Sequence, residues 1–356
     1  MTRQRPTALH LGVLLLAAAG IIGCAGPSPS AVPPGELVLL THDSFEMPET
    51  VLAEFEQRHA VDVMVLEAGD AGSMVNQAIL TRDAPLADVL FGVDNTFLSR
   101  AVEAGLFEQY RSPLLEHVPA EFQLDNDGWV TPIDYGDVCL NIDSSAFDDQ
   151  LPAPVRLDDL TDPAYRGLLV VQNPATSSPG MAFLLATIAR FGESGTYTWR
   201  DYWSDLRAND VLVSAGWSDA YYNAFSGGAG EGDRPVVVSY GTSPAAEVFF
   251  AEPPPSEAPT RALMDDCFRQ VEFAGILAGT EADELAKAFI DFMLDSSFQQ
   301  AIPLNMWVFP ANRGVELPQV FLDHAQVAAE PITLAADEIG RERDRWIEEW
   351  TDVVLR

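Results

Sequence analysis

From residue 36 onward the chain alternates short, apolar, β-rich runs with segments of helical period, and this alternation constrains the fold more than any other feature. Residues 37–41, 61–66 and 87–93 read as strands, each a brief run bounded by turn-forming or polar residues. Between them, 48–59 place Val51, Leu52 and Phe55 at helical spacing, 73–80 form a helix that Ser73 can cap, and 96–104 form a third helix. Such a repeat builds a mainly parallel sheet with helices on its faces. Ligands of these sheets bind beyond the carboxyl ends of the strands. Those ends are here Thr41-His42-Asp43-Ser44, Gly69-Asp70-Ala71-Gly72 and Asp94-Asn95, all polar and each containing an acid, although loops after strands are commonly polar.

The pattern resumes after residue 136. Residues 137–141, 168–172, 234–240 and 267–273 read as strands. The run 173–180 leads into a helix at 181–190, with Ser178 at the cap and Pro179 at the first helical position. Free N–H groups at such a start can take an anion, and capping explains the same residues equally well. Residues 250–259 read as an acidic, proline-rich exposed loop and 281–294 as an amphipathic helix. Ile339, Trp346, Trp350 and Val353 lie on one face of a closing helix.

The N-terminal residues carry Arg3 and Arg5, an apolar run from Leu11 to Ile22, and then Gly23-Cys24. That run is shorter than the roughly 20 residues a bilayer span requires and has the layout of a secretory signal. Ile21-Ile22-Gly23-Cys24 resembles the lipobox of bacterial lipoproteins. The resemblance implies cleavage before Cys24, acylation of its thiol and an extracytoplasmic protein anchored to the membrane by its acyl chains. Residues 1–23 are then a signal peptide and 24–35 a lipid-anchored flexible linker. Cys139 and Cys267 remain, and outside the cytoplasm such a pair reads as a disulfide in preference to a metal site.

With 20 basic and 54 acidic residues the formal charge is −34. A surface of this sign repels nucleic acid and anionic lipid, so neither is an expected partner, and membrane contact is expected only through the anchor. The phosphate-binding Gly-Lys-Ser/Thr loop, the His-Glu-x-x-His and Cys-x-x-Cys patterns, the Gly-x-Ser-x-Gly elbow and the dinucleotide glycine fingerprint are all missing from the sequence. His42, His59, His117 and His324 are scattered without metal-ligand spacing. Neither an enzyme, a metal site nor a cofactor is expected.

Aromatic rings beside acids are what the chain does offer. The stretch 214–228 crowds Trp217, Tyr221, Tyr222 and Phe225 around Asp219, with Tyr240 downstream. Trp217 and Tyr221 are four residues apart and share one side of a helical turn. Trp307 stands in a short segment between Pro303 and Pro310, where no periodic core accounts for it. Ring faces attract a delocalised or quaternary cation by about 0.5–2 kcal/mol each, and a nearby carboxylate adds Coulombic attraction.

Taken in order, Thr-His-Asp-Ser-Phe at 41–45, Ala-Asp-Val-Leu-Phe-Gly-Val-Asp-Asn at 87–95, Thr-Ser-Ser-Pro-Gly at 176–180, Gly-Trp-Ser-Asp-Ala-Tyr at 216–221, Ser-Tyr-Gly-Thr-Ser-Pro at 239–244 and Asn-Met-Trp-Val-Phe-Pro at 305–310 resemble the thiamine-binding proteins of bacterial ABC importers. The resemblance covers nearly all of the chain beyond residue 37. It implies an α/β, two-lobed periplasmic-binding-protein type II fold with two crossovers between lobes. Lobe 1 would combine 36–133 with 276–356, including the C-terminal helix, and lobe 2 would be 134–275. A monomeric binding protein is implied, holding thiamine or a thiamine phosphate in the cleft and delivering it to an ABC-transporter permease. Trp217, Tyr221, Tyr240 and Trp307 resemble the aromatic residues around that ligand, and Asp70 would face its polar or cationic part. Ser177 and Ser178 resemble the helix-start residues near its hydroxyethyl or phosphate end. His42, standing where some relatives have Tyr, is a further contact, while Asp219 and Tyr222 are expected to be local scaffolding. Tyr221-Tyr222 also resembles the adjacent tyrosines of ferric-ion-binding proteins, and polyamine binding is a second alternative.

Overall fold

The computed structural model describes residues 35–356. The expected signal peptide (1–23), Cys24 and all of the expected linker except its last residue lie outside the described residues. That last residue, Gly35, opens strand β1 (Gly35–Thr41) and pairs with Val61.

After β1 come α1 (Glu49–His59), β2 (Val61–Glu67), α2 (Ala71–Thr81), β3 (Val89–Asp94), α3 (Leu98–Glu103) and the short β4 (Phe107–Glu108). The long strand β5 (Thr131–Asp143) leads to β6 (Leu169–Gln172), α4 (Ser178–Phe191), α5 (Trp199–Ala208), β7 (Leu212–Ser214), β8 (Val236–Tyr240) and α6 (Ser243–Phe250). A second long strand, β9 (Thr260–Leu277), is followed by α7 (Asp283–Leu294), α8 (Ser296–Asn305), β10 (Phe309–Pro310), α9 (Gln319–His324) and α10 (Ala336–Val354).

The strands run in the order β2-β1-β3-β9-β5-β8-β6-β7. β2 and β3 flank β1 in parallel, and β7 and β8 flank β6 in parallel. Between these groups β9 and β5 pair antiparallel with each other, β9 also with β3 and β5 also with β8. Two α/β lobes result, and β5 and β9 serve both. The expected lobe boundaries, 133/134 and 275/276, fall inside these two strands. β3 and β6 are buried at every position, as strands covered on both faces are.

β5 and β9 are far longer than the expected 137–141 and 267–273. Asp134 interrupts the apolar run ahead of residue 137, and Asp265-Asp266, where β5 and β9 shift register and Asp266 has φ 59°, interrupts the run ahead of residue 267; Asp134, Asp137, Gln270 and Glu272 are all buried. Asp137 is matched by its register partner Arg269, which donates to both carboxylate oxygens, and it also accepts from the Ala328 N–H at 2.7 Å. Two helix starts also differ from expectation. Asp70, not Ser73, caps α2, because its extended backbone turns the carboxylate onto the Ala71 N–H at 2.7 Å. In α4 the cap position belongs to Ser177, so Ser178 is already helical.

α10 closes the structure by packing on both groups of strands and helices. Trp346 and Trp350 are fully buried on its inner face, with Trp350 edge-on to Trp203 of α5 at 5.5 Å. On the other side the Arg343 guanidinium lies 4.2 Å over the Phe97 ring, next to α3.

Cys139 of β5 and Cys267 of β9 form a disulfide, with a Cα–Cα distance of 4.5 Å and 128 residues of sequence separation. Closing so long a loop stabilises by about 2–5 kcal/mol. A Cys139→Ala/Cys267→Ala double variant is therefore expected to unfold at a clearly lower urea midpoint than the oxidised protein. Equal midpoints would show that the sheet holds the two strands without the bridge.

Candidate functional site

A cleft of about 580 Å³ opens at the carboxyl ends of the parallel strands. The loop after β1 supplies His42, Asp43, Ser44 and Glu46, and the start of α2 supplies Asp70 and Ala71. From the other lobe come Ser178 and Pro179 of α4, the turn after β7 with Trp217, Ser218, Tyr221 and Tyr222, and Tyr240, Ser243, Glu247 and Phe250 around α6. Glu272 of β9 and the 304–308 segment with Trp307 complete the lining. A doubly wound topology brings residues far apart in sequence to this one edge.

One wall is aromatic. Asp219–Ala224 forms a π-helical turn, and Trp217 just before it stacks on Tyr221 with ring centres 4.9 Å apart and planes 19° apart. Tyr222 stands edge-on to Trp217 at 5.6 Å, and Tyr240 lies 6.4 Å from it. Three of these rings have a polar tether. Trp217 Nε1 donates to Ser239 Oγ at 2.9 Å, Tyr221 donates to Glu247 Oε1 at 2.6 Å, and Tyr240 donates to Gln270 Oε1 at 3.3 Å. Trp307 has φ 57°, a left-handed conformation that costs energy in a bulky residue. Its carbonyl accepts from Thr242 Oγ1, and its ring stacks on Phe321 at 5.9 Å beside Phe250.

The floor is acidic. Asp70 uses Oδ1 to accept from Ala71 N at 2.7 Å and Ser178 N at 3.3 Å, and Oδ2 to accept from Trp217 N at 2.8 Å. One carboxylate thus ties the first lobe to two segments of the second. His42 Nε2 lies 3.8 Å from Glu272 Oε1, and Glu272 accepts from Gln270 Nε2 at 3.1 Å. Gly92 makes room for His42: its φ is 99°, β3 shifts register there, and a Cβ would lie 2.2 Å from the imidazole. Asp134 is the direct register partner of Glu272, is 0% exposed, and has no hydrogen-bond partner on either oxygen. Asp94 accepts from Thr96 N at 3.0 Å and Thr96 Oγ1 at 2.7 Å through Oδ1, while its buried Oδ2 has no partner.

These surroundings displace the acids upward. Burial, then the charge of Glu272 opposite, pushes Asp134 well above the ordinary carboxylate range. Burial lifts Asp94 to about 6 and also raises Asp70 and Glu247. For His42 burial acts downward, but Glu272, with Asp70 and Asp43, outweighs it and leaves the imidazole raised. The phenols of Tyr221 and Tyr240 are pushed well above their usual value, first by burial.

Trp217, Tyr221, Tyr240, Trp307, Asp70, Ser178 and His42 all line the cleft; Ser177 is wholly buried behind it. Tyr222, expected to be scaffolding, lines the cleft and is 46% exposed, because the π-helical turn keeps it beside Trp217. Asp219 stays outside the lining and accepts from the Asn223 amide of its own turn at 3.0 Å. Glu272, Asp134 and Glu247 carry no signal of a site in the sequence, since a lone acid inside a strand or a helix looks like any other, whereas Asp94 stands at one of the marked strand ends. Phe250 is unmarked too, hidden at the end of an acidic, proline-rich stretch.

A model of the family of bacterial extracellular solute-binding proteins matches residues 84–337. The thiamine-binding periplasmic protein of Salmonella typhimurium is 29% identical over 337 residues, 94% of this chain and 97% of that protein. The thiamine-binding periplasmic protein of Escherichia coli (strain K12) is 29% identical over 324 residues, 90% of this chain and 94% of that protein. A solved structure, a periplasmic thiamin binding protein, superposes with a TM-score of 0.80 at 28% identity, covering 92% of this chain and 100% of that one. The two-lobed fold is accordingly of periplasmic-binding-protein type.

Folded-state carboxyl values above the ordinary range mean that the folded chain binds protons more tightly than the unfolded chain. Their stabilisation is complete at low pH and is lost as pH rises through the folded values, about 6 for Asp94. His42, also raised, acts with the same sign. The empty protein should melt at a higher temperature near about pH 5.5 than near about pH 7.5, and Asp134→Asn should flatten that difference. Stability that rises with pH over this interval, or a slope unchanged in the variant, would contradict the placement of these acids.

Proposed function

The chain belongs to the bacterial extracellular solute-binding proteins, and from that membership we propose that it captures thiamine between its lobes and delivers it to the permease of an ABC importer. The observation that carries this reading is the composition of the cleft: an aromatic wall over an acid floor, with neither lysine nor arginine among the described residues that line it. Thiamine carries a permanently charged thiazolium and a flat aminopyrimidine. Ring faces attract the first by cation–π interaction and stack on both, while the carboxyls supply Coulombic attraction and accept hydrogen bonds from the amine. The thiamine-binding relatives, matched over nearly the whole chain, support the same assignment.

Binding requires no chemistry in the protein. The lobes, divided as 36–133 with 276–356 against 134–275, close on the ligand because the closed form makes contacts the open form lacks. We place the protein outside the cytoplasmic membrane as a monomer, held by acyl chains on Cys24. Ferric ion fits the cleft less well. The Tyr221 hydroxyl is engaged by Glu247 at 2.6 Å, and burial opposes the phenolate an iron site needs.

Calorimetric titration of residues 25–356 with thiamine tests the reading, with ferric citrate as the competing ligand. Thiamine is expected to bind tightly, and Trp217→Ala to weaken it by about ten-fold or more, since one cation–π contact with its packing contributes about 1–2 kcal/mol. No heat with thiamine, and a coloured ferric complex lost in Tyr222→Phe, would overturn it.

A further inference from the structure

A row of three carboxyls crosses the adjacent strands β3, β9 and β5. Glu272 of β9 is the register partner of Asp94 on β3 and, on its other side, of Asp134 on β5. Directly paired side chains stand on one face with Cβ atoms about 4.5–5.5 Å apart, where like charges oppose each other. Asp94 and Asp134 are 0% exposed, and Glu272 alone of the three lines the cleft.

The surroundings leave this row short of positive charge. The loop after β1 brings His42, whose Nε2 is 3.8 Å from Glu272 Oε1, and with it Asp43, while the start of α2 adds Asp70. Tyr240 of β8 donates to Gln270, and Gln270 donates to Glu272 at 3.1 Å. β10 meets Asp134 with Pro310, which carries no charge. The Arg343 guanidinium of α10 lies within reach of the Asp94 charge, beside Arg100, but bonds to Asp344 at 3.2 Å. Arg269 of β9 is engaged by Asp137. Both oxygens of Asp134 and Oδ2 of Asp94 have no partner. A carboxyl buried in this way sheds its charge by keeping its proton. Asp134 in that form can donate to Glu272, as one of two neighbouring carboxyls does when they share a proton.

A permanent positive charge in the cleft changes the balance. It favours the anionic form of each acid, so an O–H bond of the row breaks, the electron pair stays on the carboxylate and H⁺ leaves to solvent. We propose that the row of Asp94, Glu272 and Asp134 holds protons while the cleft is empty and releases them as the cationic ligand arrives, so that capture of thiamine is coupled to proton release. The proposal rests on the thiamine reading. Asp94 and Asp134 do not line the cleft and act through Glu272 as positioning residues. Binding that releases protons strengthens as pH rises. His42 can lose a proton by the same route, and the test separates it from the row.

Calorimetric titration of the wild-type protein with thiamine at about pH 7, in two buffers of unequal ionisation enthalpy, counts the protons released. A net release is expected, with affinity rising at least about three-fold between about pH 6 and about pH 8. In Asp94→Asn/Asp134→Asn the amides stand in for the protonated acids, so thiamine should still bind, with the release cut by about half or more and a flatter pH profile. His42→Gln should keep most of the release. A release unchanged in the folded double variant, or lost in His42→Gln, would overturn the proposal. If the double variant fails to fold, His42→Gln and the wild-type count decide. Thiamine bound with no proton released would overturn the proposal and leave the thiamine reading intact. Absence of thiamine binding would overturn that reading and the proposal with it.

Discussion

Buried carboxyls gather at and behind the floor of the cleft, and neither lysine nor arginine among the described residues lines it to balance them. Asp70 and Glu272 line the cleft with His42 as the only basic side chain among the described lining residues, while Asp134 of β5 and Asp94 of β3 lie buried without lining it, Asp94 within reach of the Arg343 charge. Charge taken out of water is costly unless paired. The strain shows as carboxyls raised above their ordinary range and as Asp134 oxygens with no partner. The protein carries this cost where a cationic ligand would relieve it, which is how binding sites commonly trade stability for function. Elsewhere buried charge is matched, as at Asp137 with Arg269.

The rest of the architecture brings these acids together and keeps them apart from solvent. β5 and β9 pass through both lobes, so Asp134 and Glu272 face each other by register. Gly92 lets His42 lie against β3. Asp70 binds N–H groups of both lobes, and through Trp217 N it fixes where the aromatic wall stands. The disulfide pins the same pair of strands, and α10 packs across the fold on α5 and α3.

Much of this was legible in the chain. The strand–helix alternation is local and periodic, so β1 to α3 and α7 were foreseen within a few residues. Trp217, Tyr221, Tyr240, Trp307 and Asp70 stand in short motifs that the resemblance picks out, and all line the cleft. The outer stretches of β5 and β9 are not legible, because Asp134 and the pair Asp265-Asp266 at the register shift look like loop residues until the partner strand is known. That Tyr222 lines the cleft is not legible, because a π-helical turn cannot be told from an α-helical one by spacing. Ser177, in another of those motifs, lies wholly buried behind the cleft.

A crystal structure of the protein with thiamine tests most directly whether this acid-floored, aromatic cleft is a cation site. The expected result is thiamine enclosed between the lobes, its thiazolium within about 6 Å of the face of at least one of Trp217, Tyr240 or Trp307 and its amine or hydroxyl bonded to a floor carboxyl. Thiamine bound elsewhere, or in the cleft with its charged ring turned to solvent and away from both rings and acids, would contradict it.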